Sequence, residues 1–379
     1  MVGLYVHVPY CSVRCSYCDF YLVPGRGRRF DEYVAALCGE IDGSRPPLRG
    51  LAADTVHFGG GTPSLLAPPL LGRILRALGS AYPLCDRSEI ALEANPEDVD
   101  RARLEAWSGL GVTRLTVGVQ SLDDRLLALM RRPHGARRAL EALEEARRLP
   151  RVSLGADLIL GLPGQDPGEA LRGVARVADS GVDHLSLYLL ELHDRTRLGR
   201  EMALGRRQAM DPDAAAAVYE DASLLLAELG FEHYEISNFA RPGHRSRHNL
   251  KYWTDGEYLG FGPSAHSYAR GRRWSNPADL DLYIAQRGQG IEPVDDPQPR
   301  AGRAAEALFA GLRLLEGVDL EALKARYGEG VPSAESPPIA FLRAAGLVDL
   351  EGQSLRLTRR GRLLSNEVFE RLLPSAPVS

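Results

Sequence analysis

Three of the five cysteines fall within eight residues, as Cys11-Ser-Val-Arg-Cys15-Ser-Tyr-Cys18. Three thiolates on one short loop are soft ligands for a metal centre. A closed structural zinc site wants four ligands, commonly two pairs from distant segments. No second cysteine pair exists here. An ordinary 4Fe–4S cluster wants four cysteines, one per iron. Three would leave one iron open to a small molecule, which separates a reactive cluster from an electron-transfer one. Cys38 and Cys85 read as single thiols. A small, odd number of cysteines in 379 residues, three of them clustered, points to metal binding in a reducing compartment.

Other groups could serve a ligand near such a cluster. Gly59-Gly60-Gly61-Thr62 is a turn that permits close backbone approach. Glu93, Gln120 and Asp157 are hydrogen-bonding partners, and Arg132 has the planar fork suited to a carboxylate. Further on stands His248-Asn249-Leu250-Lys251-Tyr252-Trp253. An imidazole is a usual axial ligand of heme iron. Tyr252 and Trp253 offer flat apolar faces with polar tips. Arg241, Arg245 and Arg247 stand near enough in sequence to pair with propionates. A histidine beside aromatics is also commonly a packed, hydrogen-bonded residue. His244 and His266 are the alternative imidazoles.

The elements that must position these residues alternate. β-type runs at Leu4–Pro9, Thr55–Phe58, Glu89–Ala94, Arg114–Val119, Val152–Leu160 and His184–Leu190 are separated by helical patterns. The helices are expected at Asp31–Ile41, Pro68–Leu78, Asp98–Leu110, Asp123–Leu149 and Gly168–Ser180. That alternation means βαβ units and a parallel sheet. Six strands are too few for a closed eight-stranded barrel, so the expected fold is α/β, a partial (β/α)6 barrel. Cys11, the glycine turn, Glu93, Gln120 and Asp157 then sit at or near C-terminal strand ends, where such folds collect their chemistry.

After about residue 205 the pattern changes. Helices are expected at Pro212–Leu229, Asp279–Arg287 and Arg303–Leu315, the last with Leu308, Leu312 and Leu315 on one core face. Helix Pro338–Ala345, strands Leu347–Leu350 and Leu355–Leu357, and helix Gly361–Leu373 form an α+β, winged-helix-like unit. The segment after Pro374 reads as an unpacked tail. We therefore expect two domains, 1–235 and 236–379.

The cysteine loop after a first strand, with Tyr17 before the third cysteine, resembles the signature of the radical S-adenosylmethionine (SAM) superfamily. The resemblance implies a 4Fe–4S cluster on Cys11, Cys15 and Cys18 with SAM chelated to the open iron. In that family reduction cleaves SAM to a 5′-deoxyadenosyl radical. It further implies a SAM shell of Tyr5, Gly60, Gly61, Thr62, Glu93, Gln120, Arg132 and Asp157. Tyr5-Val-His7-Val-Pro9-Tyr-Cys11, His57-Phe-Gly-Gly-Gly-Thr-Pro-Ser64, Gly118-Val-Gln-Ser121 and Asp157-Leu-Ile-Leu-Gly-Leu-Pro-Gly-Gln165 resemble the oxygen-independent coproporphyrinogen III oxidase group. The likeness extends to Gly311–Gly317 and Leu355–Asn366.

That group holds the oxidase and a heme-chaperone branch. The oxidase has a further cysteine two residues after the third; here that position is Phe20. Only ten residues precede Cys11, whereas the oxidase has an N-terminal extension that helps hold substrate. His248–Trp253 matches the HNxxYW motif associated with the chaperone branch and heme. The implied function is SAM- and cluster-dependent heme binding, with delivery to acceptor hemoproteins, respiratory ones among them. The alternative is oxidative decarboxylation of coproporphyrinogen III.

Composition bounds the rest. Hydrophobic residues at 44% and charged residues at 25% exclude a disordered chain. A formal charge of −4 argues against nucleic-acid binding, despite the winged-helix-like tail. No run of about 18 apolar residues and no secretory leader are found, so a cytoplasmic protein is expected, with any membrane contact made through a partner.

Overall fold

The computed structural model describes residues 1–25, 29–44, 48–286, 294–296 and 300–373. Six strands run in chain order: β1 (Val2–Val8), β2 (Ala53–Gly60), β3 (Leu84–Ala94), β4 (Arg114–Gln120), β5 (Ser153–Leu160) and β6 (His184–Leu189). Each pairs in parallel with the next. The six-unit α/β partial barrel is thus the observed core.

Alternation along the strands explains its two faces, since successive side chains point to opposite sides. Val2, Leu4, Val6 and Val8 of β1, Val56 and Phe58 of β2, Leu115, Val117 and Val119 of β4, and Leu185 and Leu187 of β6 all enter one buried apolar core with the surrounding helices. The intervening residues are polar or small: Gly3, Tyr5 and His7; Thr55 and His57; Glu89 and Glu93; Asp157; His184 and Ser186. The barrel interior is therefore polar.

Both sheet edges are extended. The free side of β1 takes Tyr258–Phe261 in parallel, then His266–Ala269, Arg272–Ser275 and Val294–Asp296 antiparallel. The free side of β6 takes Asn238–Ala240 and then Glu232–Glu235, both antiparallel. Residues 235 and 236 therefore lie at the junction of two strands paired within this twelve-stranded sheet. The apolar cores divide later, the first reaching Tyr283 and the second running from Ala304 to Leu372.

The C-terminal unit has a three-stranded antiparallel sheet, Val318–Asp319, Ser354–Leu357 and Val348–Glu351 in spatial order. Leu308, Leu312, Leu320, Ile339, Leu342, Leu355 and Val368 fill its core. Leu315 is not on the helix face: the helix Arg300–Leu312 has ended, and the Leu315 N–H donates to Tyr234 O. The expected helix Gly361–Leu373 is two, Arg359–Leu363 and Ser365–Leu372. Residues 374–379, and residue 287 of the helix expected at Asp279–Arg287, lie outside the described residues.

The expected helix Asp123–Leu149 is also two, Asp124–Leu129 and Ala136–Arg147. Pro133 lacks an N–H and disfavours helix at the residue before it. Arg131 takes a left-handed φ of 59°, and the break aims Arg132 toward the cysteine loop. No helix among the described residues is long and apolar enough to cross a membrane.

Candidate cluster and cofactor site

The cysteine loop leaves the C-terminal end of β1. Tyr10–Cys11 pairs with Val23–Pro24 and closes its base. The Ser16 N–H and hydroxyl donate to Met130 O and Leu129 O, and Ser16 O accepts from the Leu198 N–H. Tyr17 packs against a small core of Leu126, Leu127 and Met130. None of the three cysteines is in a disulfide. Cys11 Sγ accepts from Thr62 Oγ1 at 3.4 Å, and Cys15 Sγ from Arg132 Nη1 at 3.6 Å. Burial pushes the Cys11 thiol up to about 11, against the pull of Thr62, and raises Cys18 as well. Such thiols need a cation beside them to become thiolates.

The glycine turn is packed rather than open. A Cβ on Gly61 would lie 2.6 Å from Tyr10 O, and one on Gly60, whose φ is 105°, would lie 2.7 Å from the His7 ring. The Gly61 N–H is already given to Val8 O at 2.7 Å. The glycines thus let β2 end directly against the start of the cysteine loop, which brings Thr62 to Cys11.

Arg132 is the hub of the next layer. Its Nη2 donates to Asn95 Oδ1 at 2.6 Å and to Gly118 O at 2.8 Å. Its Nε is buried without a partner. Gln120 ends β4 in a left-handed conformation, φ 66°, and Gly118 makes room for its amide.

Deeper in the barrel, Tyr5 OH lies 3.1 Å from His7 Nδ1, and His57 Nε2 lies 2.9 Å from Glu93 Oε1. Asp157 faces Ser186, and burial raises its carboxyl to about 7. The predicted residues thus form two connected groups, Cys11, Cys15, Thr62 and Arg132 at the rim and Tyr5 and Glu93 beneath, the latter bridged by His57. The sequence reading missed His57 and Asn95 as site members. Their signal was position: each stands two residues from a residue already singled out, Gly59 and Glu93.

The helix Arg247–Trp253 lies at the other end of the barrel. Its first N–H groups, on Arg247 and His248, point at the Glu89 carboxylate, which Arg114 also holds at 3.0 Å. An anion there suits a helix N-terminus. Lys251 Nζ pairs with Asp54 at 2.8 Å. His248 is fully buried, with Nδ1 at 2.8 Å from Thr55 Oγ1 and Nε2 at 2.9 Å from Tyr252 OH. Burial holds it far below the usual imidazole range, hence neutral. Tyr252 packs edge-on to Tyr258, and the Trp253 ring is covered by Arg313 at 4.4 Å. Arg241, Arg245 and Arg247 are bonded to Leu229 O, Glu316 and Arg87 O respectively. In this arrangement the segment is a plug, with both His248 ring nitrogens already taken and the Trp253 face covered, while the buried Trp253 Nε1 has no partner.

The comparisons fit this geometry. The family described as Radical SAM superfamily matches residues 5–175, and the HemN C-terminal domain matches residues 299–364. The heme chaperone HemW of Mycobacterium tuberculosis is 36% identical over 376 residues, 98% of this chain and 94% of the relative. HemW of Bacillus subtilis is 32% identical over 97% of this chain and 98% of its own. The chain belongs to the HemW-like group of the radical SAM superfamily. A mitochondrial radical S-adenosyl methionine domain-containing protein 1 from Bos taurus is 46% identical over 70% of this chain and 60% of its own. The fold is that of coproporphyrinogen III oxidase from Escherichia coli, with a TM-score of 0.86 over 99% of this chain and 90% of that one, at 23% identity.

Membership of the HemW-like group implies a 4Fe–4S cluster, SAM and heme. The residues present suit the first two. Three cysteines, none in a disulfide, lie on one loop, and a buried guanidinium that reaches Cys15 keeps one N–H without a partner.

Proposed function

We propose that this protein is a SAM- and 4Fe–4S-binding heme chaperone that transfers heme to acceptor hemoproteins. The observation that carries the reading is end-to-end likeness to relatives named for that role, 36% over 98% of the chain. In this reading Cys11, Cys15 and Cys18 hold the cluster. Tyr5, Gly60, Gly61, Thr62, Glu93, Gln120, Arg132 and Asp157 surround SAM, and the free Arg132 Nε supports its place beside the carboxylate. The bound pair would supply one-electron chemistry at the barrel mouth. The protein side keeps the Cys11 thiol buried, orients Arg132 through Asn95 and holds Glu93 through His57.

Heme is the cargo. His248, Tyr252 and Trp253 are its proposed contacts, and iron ligation by His248 Nε2 requires Tyr252 OH to give up its hydrogen bond. His244 and the exposed His266 are the other candidates. Acceptors of the respiratory chain and a cytoplasmic site of action complete the proposal. Heme titration tests it. The protein should give a ligand-bound Soret band that His248→Ala shifts and His193→Ala does not. No heme binding at all would sink the chaperone reading.

A second reading is coproporphyrinogen III oxidation, which the fold similarity favours. Phe20, exposed at 69%, stands where the oxidase carries its extra cysteine, and this weighs against it.

A further inference from the structure

Glu93 is 41% exposed at its side chain, so its carboxylate is free to swing unless something holds it. The holder is His57, through the 2.9 Å contact of Nε2 with Oε1. What fixes His57 is less obvious. Its Nδ1 is buried with no hydrogen-bond partner, so no polar contact sets the far side of the ring. The ring is instead packed against two others, which also lie 6.4 Å from each other. His248 lies on it at 5.0 Å and 22°, and Tyr5 at 6.0 Å and 24°. His248, by contrast, is fixed at three points: Nδ1 to Thr55, Nε2 to Tyr252, and its backbone N–H to Glu89. A rigid ring therefore backs a ring that lacks its own anchor, and that second ring holds the carboxylate. Gly59 completes the fit, since a Cβ there would lie 3.1 Å from both Glu93 Oε1 and the His57 ring.

We propose that His248 and His57 are positioning residues for SAM: the plug helix, acting through the His248–His57 stack, holds Glu93 in its SAM-binding orientation. The proposal rests on the reading that Glu93 contacts SAM. It makes the Arg247–Trp253 helix a device that couples the far end of the barrel to the cofactor mouth.

The test is the SAM dissociation constant, measured by anaerobic titration of the cluster-reconstituted full chain. Glu93→Gln comes first and should weaken SAM about tenfold or more, the loss expected for one charge-assisted hydrogen bond. If it does not, the reading beneath the proposal fails. His248→Leu, which removes the flat ring, should weaken SAM by roughly five- to tenfold, and His248→Phe, which restores it, should recover most of that. The double variant Glu93→Gln/His248→Leu should bind no more weakly than Glu93→Gln alone, because the effect runs through that carboxylate. If His248→Leu does not fold, His57→Phe serves instead, keeping the stack without Nε2 and showing the same non-additivity. Wild-type affinity in these variants, or losses that simply multiply with that of Glu93→Gln, overturns the proposal.

Discussion

Arg132 Nη2 donates to the carboxamide oxygen of Asn95 at 2.6 Å, which ties the break between two helices to the end of β3. Because Nη1 reaches Cys15 and Nε is free, one guanidinium spans the cluster loop and the proposed SAM carboxylate. A lysine is a point charge on a flexible stem and cannot serve these directions together. Arg132→Lys should weaken SAM by roughly 10–100-fold while the cluster still assembles. Asp157→Ala should cost a similar factor. Anaerobic SAM titration checks both, and an unchanged affinity removes the residue concerned from the shell.

The cysteine loop makes a sharper prediction. With no fourth cysteine in the loop, loss of any one of Cys11, Cys15 or Cys18 to Ala should abolish the broad iron–sulfur absorption of reconstituted protein. Cys38→Ala and Cys85→Ala should leave it intact. One bound zinc and no sulfide in the wild type would refute the cluster.

Glu40 gives a pH dependence away from the site. Its carboxylate accepts from the Gly262 N–H at 2.9 Å, Asn276 Nδ2 at 2.6 Å and Tyr283 OH at 2.5 Å, binding the first helix to the strands beyond β1. Burial nonetheless lifts its carboxyl from 4.5 to about 7. The folded state then holds a proton that the unfolded chain has lost, so this contribution is present below about 4.5 and fades as pH rises through about 7. Thermal melts at pH 5 and pH 8 should show the wild type losing stability that Glu40→Gln does not lose. Parallel pH profiles for the two would contradict the assignment.

What could be read from the sequence was what lies close along the chain. The three cysteines, the glycine turn and the strand alternation carry their meaning locally, and all six predicted strands are present. The break at Pro133 had its proline signal, but apolar spacing continues across it and outweighed that signal. The strand Val318–Asp319 has two residues, too few for any periodicity. His57 and His248 are 191 positions apart in the chain, so no spacing could reveal that they stack. Nor could the motif His248–Trp253 say which end of the barrel it closes. That depends on Asp54 and Glu89, which meet it only when the sheet forms.

The most direct test of the account is heme transfer. Reconstituted, SAM-loaded protein is charged with heme, mixed with an apo-hemoprotein and separated, and the Soret absorption of each fraction is read. The account predicts that heme leaves this protein and appears in the acceptor, with coproporphyrinogen III left intact by the same reduced preparation. Heme that never binds or never moves, together with multiple-turnover decarboxylation of coproporphyrinogen III, would contradict it and make the protein an oxidase.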